Sequence, residues 1–393
     1  MNNRGSVTRK DGSWSFRYSY RDFSGKRCHK MRQGFATKLD AQKALTAAMS
    51  AIDAGGRAGS SRITVADYLT RWIDLYDRTK SRKLSTVATA RTHVTAYIIP
   101  RIGTMQLSKV TSQVIENLYA DLMETGGTCN RSRQPLAPKT IRNIAGTFHK
   151  ALSDAVQRGH IVRNPADGVN LPRWERPEMH PYDESDVSRF LEYAARDGDP
   201  QTALWRVMFA TGIRRGELLG LRWTDVDFVA GTITVVQSKV MTAGQVIMTT
   251  PKTKAGRRTI GLDSDTVAAL ALFKNAQDAA SALFGLASFP LVATDLDGRE
   301  IHPLTATRRF QAISAGAGLR KIRLHDTRHT HSTMMLDHGV PIHTVSRRLG
   351  HSKVSTTLDV YAAFMPSADR VAADVIGQVL RDAKRNAKGT PKP

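Results

Sequence analysis

Two stretches of the chain lack the periodicity of helices and strands. Residues 54–62, AGGRAGSSR, are rich in glycine and serine, and residues 170–181, NLPRWERPEMHP, contain three prolines. Such compositions are typical of linkers, and a chain of 393 residues is too long for one ordinary domain. The sequence therefore predicts three domains, at residues 1–55, 63–167 and 181–385.

The first predicted domain combines strands with one helix. Residues 13–20, SWSFRYSY, alternate aromatic and polar side chains like a half-buried strand, and residues 26–33, KRCHKMRQ, follow as a basic strand. Thr37 and Asp40 form a capping box for a helix that is expected to reach Ile52. Its predicted inward face consists of Leu39, Ala44, Leu45 and Ala48. A small sheet with a basic face can lie in a DNA groove.

The second predicted domain is an α-helical bundle. A cap at Thr64 begins a helix whose apolar residues recur at helical spacing. Further helices are predicted at residues 86–100, 111–124 and 138–158. Pro100 is expected to end the first of these three, because proline lacks the backbone N–H that a helix interior needs.

The third predicted domain mixes helices with short strands. Its elements are expected near Glu184 for a first helix, at residues 232–236, 245–249 and 257–262 for strands, and at residues 264–284 and 303–317 for long helices. The basic segment TPKTKAGR is expected to be the turn of a hairpin between the last two strands. The predicted class is therefore multidomain α+β: a small N-terminal sheet and helix, a helical bundle, and a mainly α C-terminal domain with a small antiparallel sheet.

The formal net charge of +23 and the pI near 10.3 predict a strong positive field. Such a field favours nucleic acid or an anionic membrane surface as the partner. The basic residues are spread along the chain, which fits a protein that surrounds a duplex, although RNA-binding proteins can have similar totals.

The two cysteines, Cys28 and Cys129, are far apart in the sequence. They indicate neither a disulfide framework nor a zinc module, so a reducing compartment is expected. No apolar run approaches the length of a membrane span, and the N-terminus lacks the apolar stretch of a signal peptide. A cytoplasmic protein without a membrane partner is predicted.

Most side chains that could perform chemistry lie between residues 324 and 364. His325 and Arg328 stand three residues apart. A helix that begins near His325 would place both on one face, where they could converge on one anion.

Two further residues of this stretch could join the same site. Gly350 is positioned to end a short helix, and His351 follows at the bend, where its side chain can point into a cleft. Tyr361 lies ten residues further along the chain. A single tyrosine is usually a core or interface residue, but here it accompanies two histidines and an arginine.

A second arginine motif lies at residues 209–223, FATGIRRGELLGLRW. Arg214 is expected to open a helix after a bend, and Glu217 to support that arginine one turn later. A planar guanidinium suits two phosphate oxygens, so Arg214 and Arg328 are interpreted as phosphate clamps. Because a tyrosine with its ordinary pKa of about 10 is a poor nucleophile, cations of this kind would be needed to activate Tyr361.

Taken in order, these motifs resemble those of the tyrosine recombinases of the phage integrase family. TGIRRGELLGLRW is similar to the first arginine motif, HDTRHT to the His-x-x-Arg motif, LGHS to the second histidine motif and TTLDVYAAF to the nucleophile motif. The resemblance covers the chain from about Pro181 to Pro366. One such motif occurs by chance in many proteins, whereas four in the same order are specific.

The resemblance implies site-specific recombination of DNA through a covalent intermediate. The nucleophile would form a 3′-phosphotyrosyl bond and release a 5′-hydroxyl, which then attacks a partner duplex. The phosphoester energy is kept, so neither ATP nor a metal cofactor is implied. The expected substrate is a phage genome or a related mobile element that is integrated and excised.

The resemblance also implies a role for each residue of a catalytic set. The set is Arg214, Lys252, His325, Arg328, His351 and Tyr361. Lys252, in the sequence PKT, would be the general acid that protonates the leaving oxygen, with Lys254 as the alternative. His325 would act in proton transfer and orient the phosphate, and His351 would donate a hydrogen bond to it.

The partners that the resemblance implies are double-stranded DNA and other proteins on it. The N-terminal module would bind arm sites, the bundle would grip the attachment core, and the active form would be a homotetramer. An excision factor and a host DNA-bending protein are further expected partners. An apolar stripe near the C-terminus would pack on its own domain or dock into a neighbouring protomer, and its members are Val371, Val375, Ile376, Val379 and Leu380.

Three alternatives remain open at the level of sequence. A metal site could use His325, Asp326, His329 and His331, although no HExxH pattern is present. An architectural DNA-binding protein would have the same charge without catalysis. A type IB topoisomerase would share the catalytic residues but has little use for two extra DNA-binding modules.

Overall fold

The computed structural model describes residues 5–10, 12–21, 27–53, 63–78, 83–127, 134–175, 179–242, 244–251, 254–285, 288–351, 354–355, 358 and 376–383. They belong to two units, which divide between Arg176 and Pro177. None of the helices in this described part combines the length and the apolarity needed to cross a lipid bilayer.

The N-terminal sheet is antiparallel and has the order β1-β2-β3. Its elements are β1 Gly5–Lys10, β2 Ser13–Arg21, β3 Arg27–Phe35 and helix α1 Lys38–Asp53, which packs on the sheet. Phe16, Tyr18 and Leu45 form the buried centre. The strand β1 was not predicted, because GSVTRK contains a single large apolar residue. The inward position predicted for Leu39 is wrong: its side chain, in the first turn of α1, is 63% exposed.

Within its described residues, the helical bundle has five helices, and four of them lie close to the predicted positions. The helices are α2 Val65–Arg78, α3 Leu84–Thr92, α4 Ile99–Ile102, α5 Ser112–Thr125 and α6 Pro138–Gln157. Buried polar atoms join α2 to α6: Tyr68 Oη donates to the carbonyl of Ala151 at 2.6 Å, and Trp72 Nε1 donates to Asp154 Oδ2 at 2.9 Å.

The prediction that Pro100 ends a helix is wrong. A π-helical segment, His93–Ile98, joins α3 to α4, and Pro100 lies inside α4. At the end of this segment the Ile99 N–H donates to the carbonyl of Val94, five residues earlier. Proline disrupts a helix because it lacks an N–H and its ring collides with the carbonyl four residues earlier. The wider π turn accommodates both effects.

The second unit is built around one aromatic core. Its helices are α7 Glu184–Arg196, α8 Thr202–Thr211, α9 Arg215–Leu219, α10 Ser264–Leu283, α11 Pro303–Gly316, α12 Thr327–Asp337 and α13 Ile342–Leu349. Helix α8 packs against α7, α10 and α12. Phe190 contacts Trp205, Phe209 and Phe310, with ring centroids 5.0–6.3 Å apart.

The strands of the second unit form two small antiparallel sheets. They are β4 Val226–Asp227, β5 Thr232–Val235, β6 Ser238–Thr242, β7 Gln245–Thr249 and β8 Arg258–Gly261. The orders are β4-β5-β8 and β6-β7. The predicted hairpin between β7 and β8 is therefore wrong, because β7 pairs with the unpredicted β6 and β8 pairs with β5. Residues 250–257 connect two sheets, and the α+β class is confirmed.

Candidate active site

The first arginine motif is placed by a left-handed glycine. Gly212 ends α8 with φ of 61°, a conformation that glycine adopts at little cost. A Cβ at this position would lie 2.7 Å from both His331 and Leu349. The tight packing brings α8 against α12 and α13, and Arg214 follows as the residue before α9.

Arg214 is held by a buried carboxylate. Its Nη1 donates to Glu217 Oε1 at 2.7 Å, and its backbone N–H donates to Glu217 Oε2 at 3.1 Å. Burial raises the pKa of Glu217. The hydrogen bonds and charges of Arg258 and Arg214 lower it by more than burial raises it, so the pKa lies below its usual range. The Arg214 side chain is 37% exposed and Glu217 only 6%. The predicted support of Arg214 by Glu217 agrees with this geometry.

Arg328 is buried where three helices meet. It is 3% exposed, its Nη1 donates to the carbonyl of Gly212 at 2.8 Å, and its Nη2 donates to the carbonyl of Leu349. These bonds use two of the five N–H groups of a guanidinium. Burial lowers the pKa of Arg328, and the charges of Arg214 and Arg258 lower it further. An anion beside these arginines would relieve their repulsion.

His325 precedes α12 in a separate 3₁₀ turn, Leu324–Asp326, so the α-helix begins two residues later than expected. One side of His325 is exposed to solvent. Desolvation of the part that faces the protein lowers the pKa of His325, and the charges of Arg328 and Arg214 lower it further. A neutral imidazole at neutral pH can accept a proton or donate one hydrogen bond.

His351 follows the left-handed C-cap of α13. Gly350 has φ of 66°, and the backbone N–H of His351 donates to the carbonyl of Ser346 at 3.0 Å. Burial lowers the pKa of His351 to about 4, with further contributions from Arg328 and Arg214. The same two arginines thus act on both histidines, and four of the six predicted residues form one electrostatic cluster.

Lys252 and Tyr361 lie outside the described residues. The backbone of Lys254 belongs to a 3₁₀ turn, Lys254–Gly256, directly before β8. The assignments of the nucleophile and of the general acid remain predictions.

Three family models match the chain in sequence order. The arm DNA-binding domain model matches residues 6–51, the phage integrase SAM-like domain model residues 64–170, and the phage integrase family model residues 182–367. The chain belongs to the phage integrase family. It is a tyrosine recombinase, an enzyme that transfers DNA strands in site-specific recombination.

Relatives of the recombinase match most of its length. It is 28% identical over 292 residues to the ICEBs1 integrase of Bacillus subtilis, which covers 73% of this chain and 75% of that protein. It is 27% identical over 381 residues to the tyrosine recombinase XerC-like protein of Caldanaerobacter subterraneus subsp. tengcongensis, which covers 92% and 94%.

Solved structures share the fold of the recombinase. A Tn1549 transposon integrase in complex with a circular intermediate DNA has a TM-score of 0.64 at 20% identity, covering 80% of this chain and 99% of that one. A lambda integrase dimer bound to a COC′ core site has a TM-score of 0.57 at 15% identity, covering 92% and 95%.

Sequence reasoning missed two residues around the site of the recombinase, Arg258 and Arg348, and considered a third, His331, only as a metal ligand. Arg258 donates to Glu217, Arg348 donates to the carbonyls of Ala210 and Gly261, and His331 lies beneath Gly212. One signal was available in the strand 257–262, where alternation places Arg258 on the same face as the buried Ile260. An arginine on an inward face requires a partner.

The metal alternative is not supported by the directions of its side chains. Asp326 accepts hydrogen bonds from Arg323, and His331 contacts the carbonyl of Phe209 on the other side of α12. Across the described ranges, no three side chains of His, Cys, Asp or Glu are grouped as metal ligands would be.

His331 is a neutral structural histidine. Its Nδ1 lies 2.8 Å from the carbonyl of Phe209, which can only accept, and Arg348 Nε donates to its Nε2 at 3.3 Å. The proton is therefore on Nδ1. Burial lowers the pKa of His331 to about 3, and the charge of Arg348 contributes.

His331 is expected to destabilise the recombinase in acid. Because its folded pKa is depressed, its contribution is present above its unfolded pKa and is lost as pH falls toward the folded pKa. Between pH 7 and pH 5 this loss is about 2 kcal/mol of unfolding free energy. Urea unfolding of His331→Asn, whose amide can still donate to Phe209, should show a correspondingly weaker pH dependence. His338→Asn, a change at an exposed histidine, is the control. Equal slopes of unfolding free energy against pH for the wild type, His331→Asn and His338→Asn would contradict the assignment.

Proposed function

We propose that this recombinase integrates, and also excises, a phage genome or a related mobile element. The arm-site reader would be residues 1–55, the core-binding domain residues 63–167 and the catalytic domain residues 181–385. The proposal rests on one observation: the partly exposed Arg214 follows directly after the turn whose carbonyl at Gly212 accepts from the buried Arg328, and both arginines lie close enough to His325 and His351 for their charges to add to the effect of burial in lowering the pKa of each histidine. A cluster of mutually repelling donors of this kind is suited to a phosphodiester, whose negative charge increases in the transition state.

Each step of the proposed reaction uses a named residue. The Tyr361 oxygen attacks phosphorus, and a 3′-phosphotyrosyl bond forms while the bond to the 5′ oxygen breaks. Arg214 and Arg328 stabilise the charge on the non-bridging oxygens, and Lys252 gives a proton to the leaving 5′ oxygen. The neutral His325 accepts the proton that the Tyr361 hydroxyl loses, while His351 donates a hydrogen bond to phosphate. The reverse attack by a 5′-hydroxyl of a partner duplex completes strand exchange without ATP or a metal.

The proposed assembly on DNA is a homotetramer. Residues 376–383 are helical, and Ile376, Val379 and Leu380 share one face of that helix, with exposures of 57%, 56% and 62%. An apolar face that is this exposed in one chain favours docking into a neighbouring protomer over packing on its own domain. A lambda integrase tetramer bound to a Holliday junction has the same fold, with a TM-score of 0.56.

The proposed partners follow from this role. Double-stranded DNA would be bound at attachment core and arm sites, and the net charge of +23 supports this. An excision factor and a host DNA-bending protein would set the direction and geometry of the reaction, in the cytoplasm of a bacterial host.

A covalent adduct on the element's own ends tests the proposed function. Incubated with a duplex that carries those ends, the recombinase should form an SDS-resistant adduct at one discrete phosphate and leave a free 5′-hydroxyl. EDTA should not reduce the yield, because arginines supply the stabilising charge. The adduct is measured by gel electrophoresis of end-labelled DNA, and its position by sequencing of the released strand.

The control is a duplex of equal length without the element's ends, which should give no discrete adduct. A 5′-linked adduct, or an adduct that requires a divalent ion, would exclude the proposed chemistry.

A further inference from the structure

Arg258 makes hydrogen bonds in three directions. It begins β8, and its side chain is 6% exposed. Nε donates to the carbonyl of Arg348 at 2.7 Å, Nη1 to the carbonyl of Gly256 at 3.2 Å, and Nη2 to Glu217 Oε2 at 2.9 Å. One guanidinium thus joins β8, the end of α13 and α9.

The bond to Glu217 connects Arg258 to the phosphate clamp. Glu217 Oε2 accepts from Arg258, while Glu217 Oε1 accepts from Arg214 Nη1. The carboxylate therefore lies between a buried arginine and a partly exposed one. Removal of Arg258 would leave Glu217 with one arginine and free it to turn, and Arg214 would turn with it.

The bond to Arg348 connects Arg258 to the second histidine. Arg348 lies in the last turn of α13, two residues before Gly350 and three before His351. At Gly350 the packing leaves little space, since a Cβ there would lie 2.8 Å from the carbonyl oxygen of Ala255 and 3.0 Å from Arg258 Cδ. The segment before β8 therefore packs directly against the bend that carries His351.

We propose that Arg258 is a positioning residue that holds Arg214, His351 and the segment preceding β8 in one fixed arrangement. The proposal rests on the proposed function, because it assigns these groups to one phosphate. Arg258 is too buried to bind DNA itself, so its effect is exerted through Glu217 and through the end of α13. A lysine keeps the charge but has no planar fork, and it cannot donate in these three directions at once.

The cleavage rate constant at saturating DNA tests this role. Arg258→Met should cleave roughly a hundredfold more slowly, since a displacement near 1 Å can have an effect of this size, with an unchanged Kd for the duplex. Arg258→Lys should also be slow, because it keeps the charge beside Glu217 but loses the bond to Arg348. The double variant Arg258→Met/Glu217→Gln should be no slower than the slower single variant, since both act on Arg214.

The matched control is Arg320→Met. Arg320 donates to Asp186, whose side chain is 5% exposed, and to backbone carbonyls near the start of the unit. Like Arg258, it thus bonds to a buried carboxylate and to the backbone, but no role in the reaction is assigned to it. It should lose thermal stability without a comparable loss of cleavage. Equal losses of cleavage for Arg258→Met and Arg320→Met, or additive effects of Arg258→Met and Glu217→Gln, would overturn the proposal.

A second readout does not depend on the reaction. The pKa of His351, which burial and then Arg328 lower to about 4, can be followed by NMR of the free protein. In Arg258→Lys, which preserves the charge, the pKa of His351 should rise toward its ordinary value because the end of α13 is released. An unchanged pKa would overturn the proposal even if the variant is slow. Failure of the proposed function is distinguished by the wild type, which would then form no adduct while this titration still responds.

Discussion

Replacement of Tyr361 by phenylalanine is expected to abolish the covalent adduct completely and to leave the affinity for DNA unchanged. Only the attacking oxygen is lost, and no other oxygen at that position can form the phosphotyrosyl bond. The aromatic ring is kept. SDS gels of labelled DNA measure the adduct, and a mobility-shift titration measures binding.

Tyr193→Phe is the matched control for this prediction. Tyr193 lies on α7, is partly buried against Gly316, and has no assigned role in the reaction. Loss of its hydroxyl should leave the adduct yield as in the wild type. An adduct trapped with Tyr361→Phe would refute the assignment of the nucleophile.

Lys252→Ala is expected to slow cleavage of ordinary DNA by roughly 10² to 10⁴, the usual contribution of a general acid. The defect should largely disappear on a duplex in which sulfur replaces the bridging 5′ oxygen. A thiolate is a better leaving group than an alkoxide because thiols are the stronger acids, so it leaves without a proton. Single-turnover rates on the two substrates measure the rescue.

Lys254→Ala is the control, since Lys254 lies two residues along the same segment and should show a modest defect on both substrates. Rescue of Lys254→Ala in place of Lys252→Ala would exchange the two roles. If neither variant is rescued, the acid is another residue, with His325 as the next candidate. The flanking strands β7 and β8 belong to two separate sheets, so they do not form the hairpin expected from sequence.

The buried Glu217 would support the phosphate site that we propose. A carboxylate beside a phosphate would normally weaken binding by repulsion. Here two arginines neutralise it, at 2.7 Å and 2.9 Å, and the pair with Arg214 uses one Nη group of the fork. The remaining N–H groups of Arg214 are thereby oriented, which lowers the entropy lost when phosphate binds.

Local rules in the sequence determined where many helices of this recombinase begin and end. The caps at Thr37 and Thr64 begin helices as predicted, and Gly350 ends one, because capping depends on residues close in the chain. Apolar spacing likewise located α5, α6 and α10 to within a residue or two. The motifs that indicate the family are also local, since each is a short run of residues, but only the four of them in order are specific.

Only the tertiary structure decided which distant residues meet. The pairing of β8 with β5, across more than twenty residues, is set by a shared core and not by a turn. The π-helical passage through Pro100 depends on packing in the bundle. The positions of Arg258 and Arg348 also depend on distant residues. Their guanidinium groups donate to carbonyls and to a carboxylate that belong to α8, α9 and α13. The sequence by itself determined the candidates for the reactive groups, while long-range packing determined how the described ones are held, because the energy of a buried donor depends on partners that no local pattern specifies.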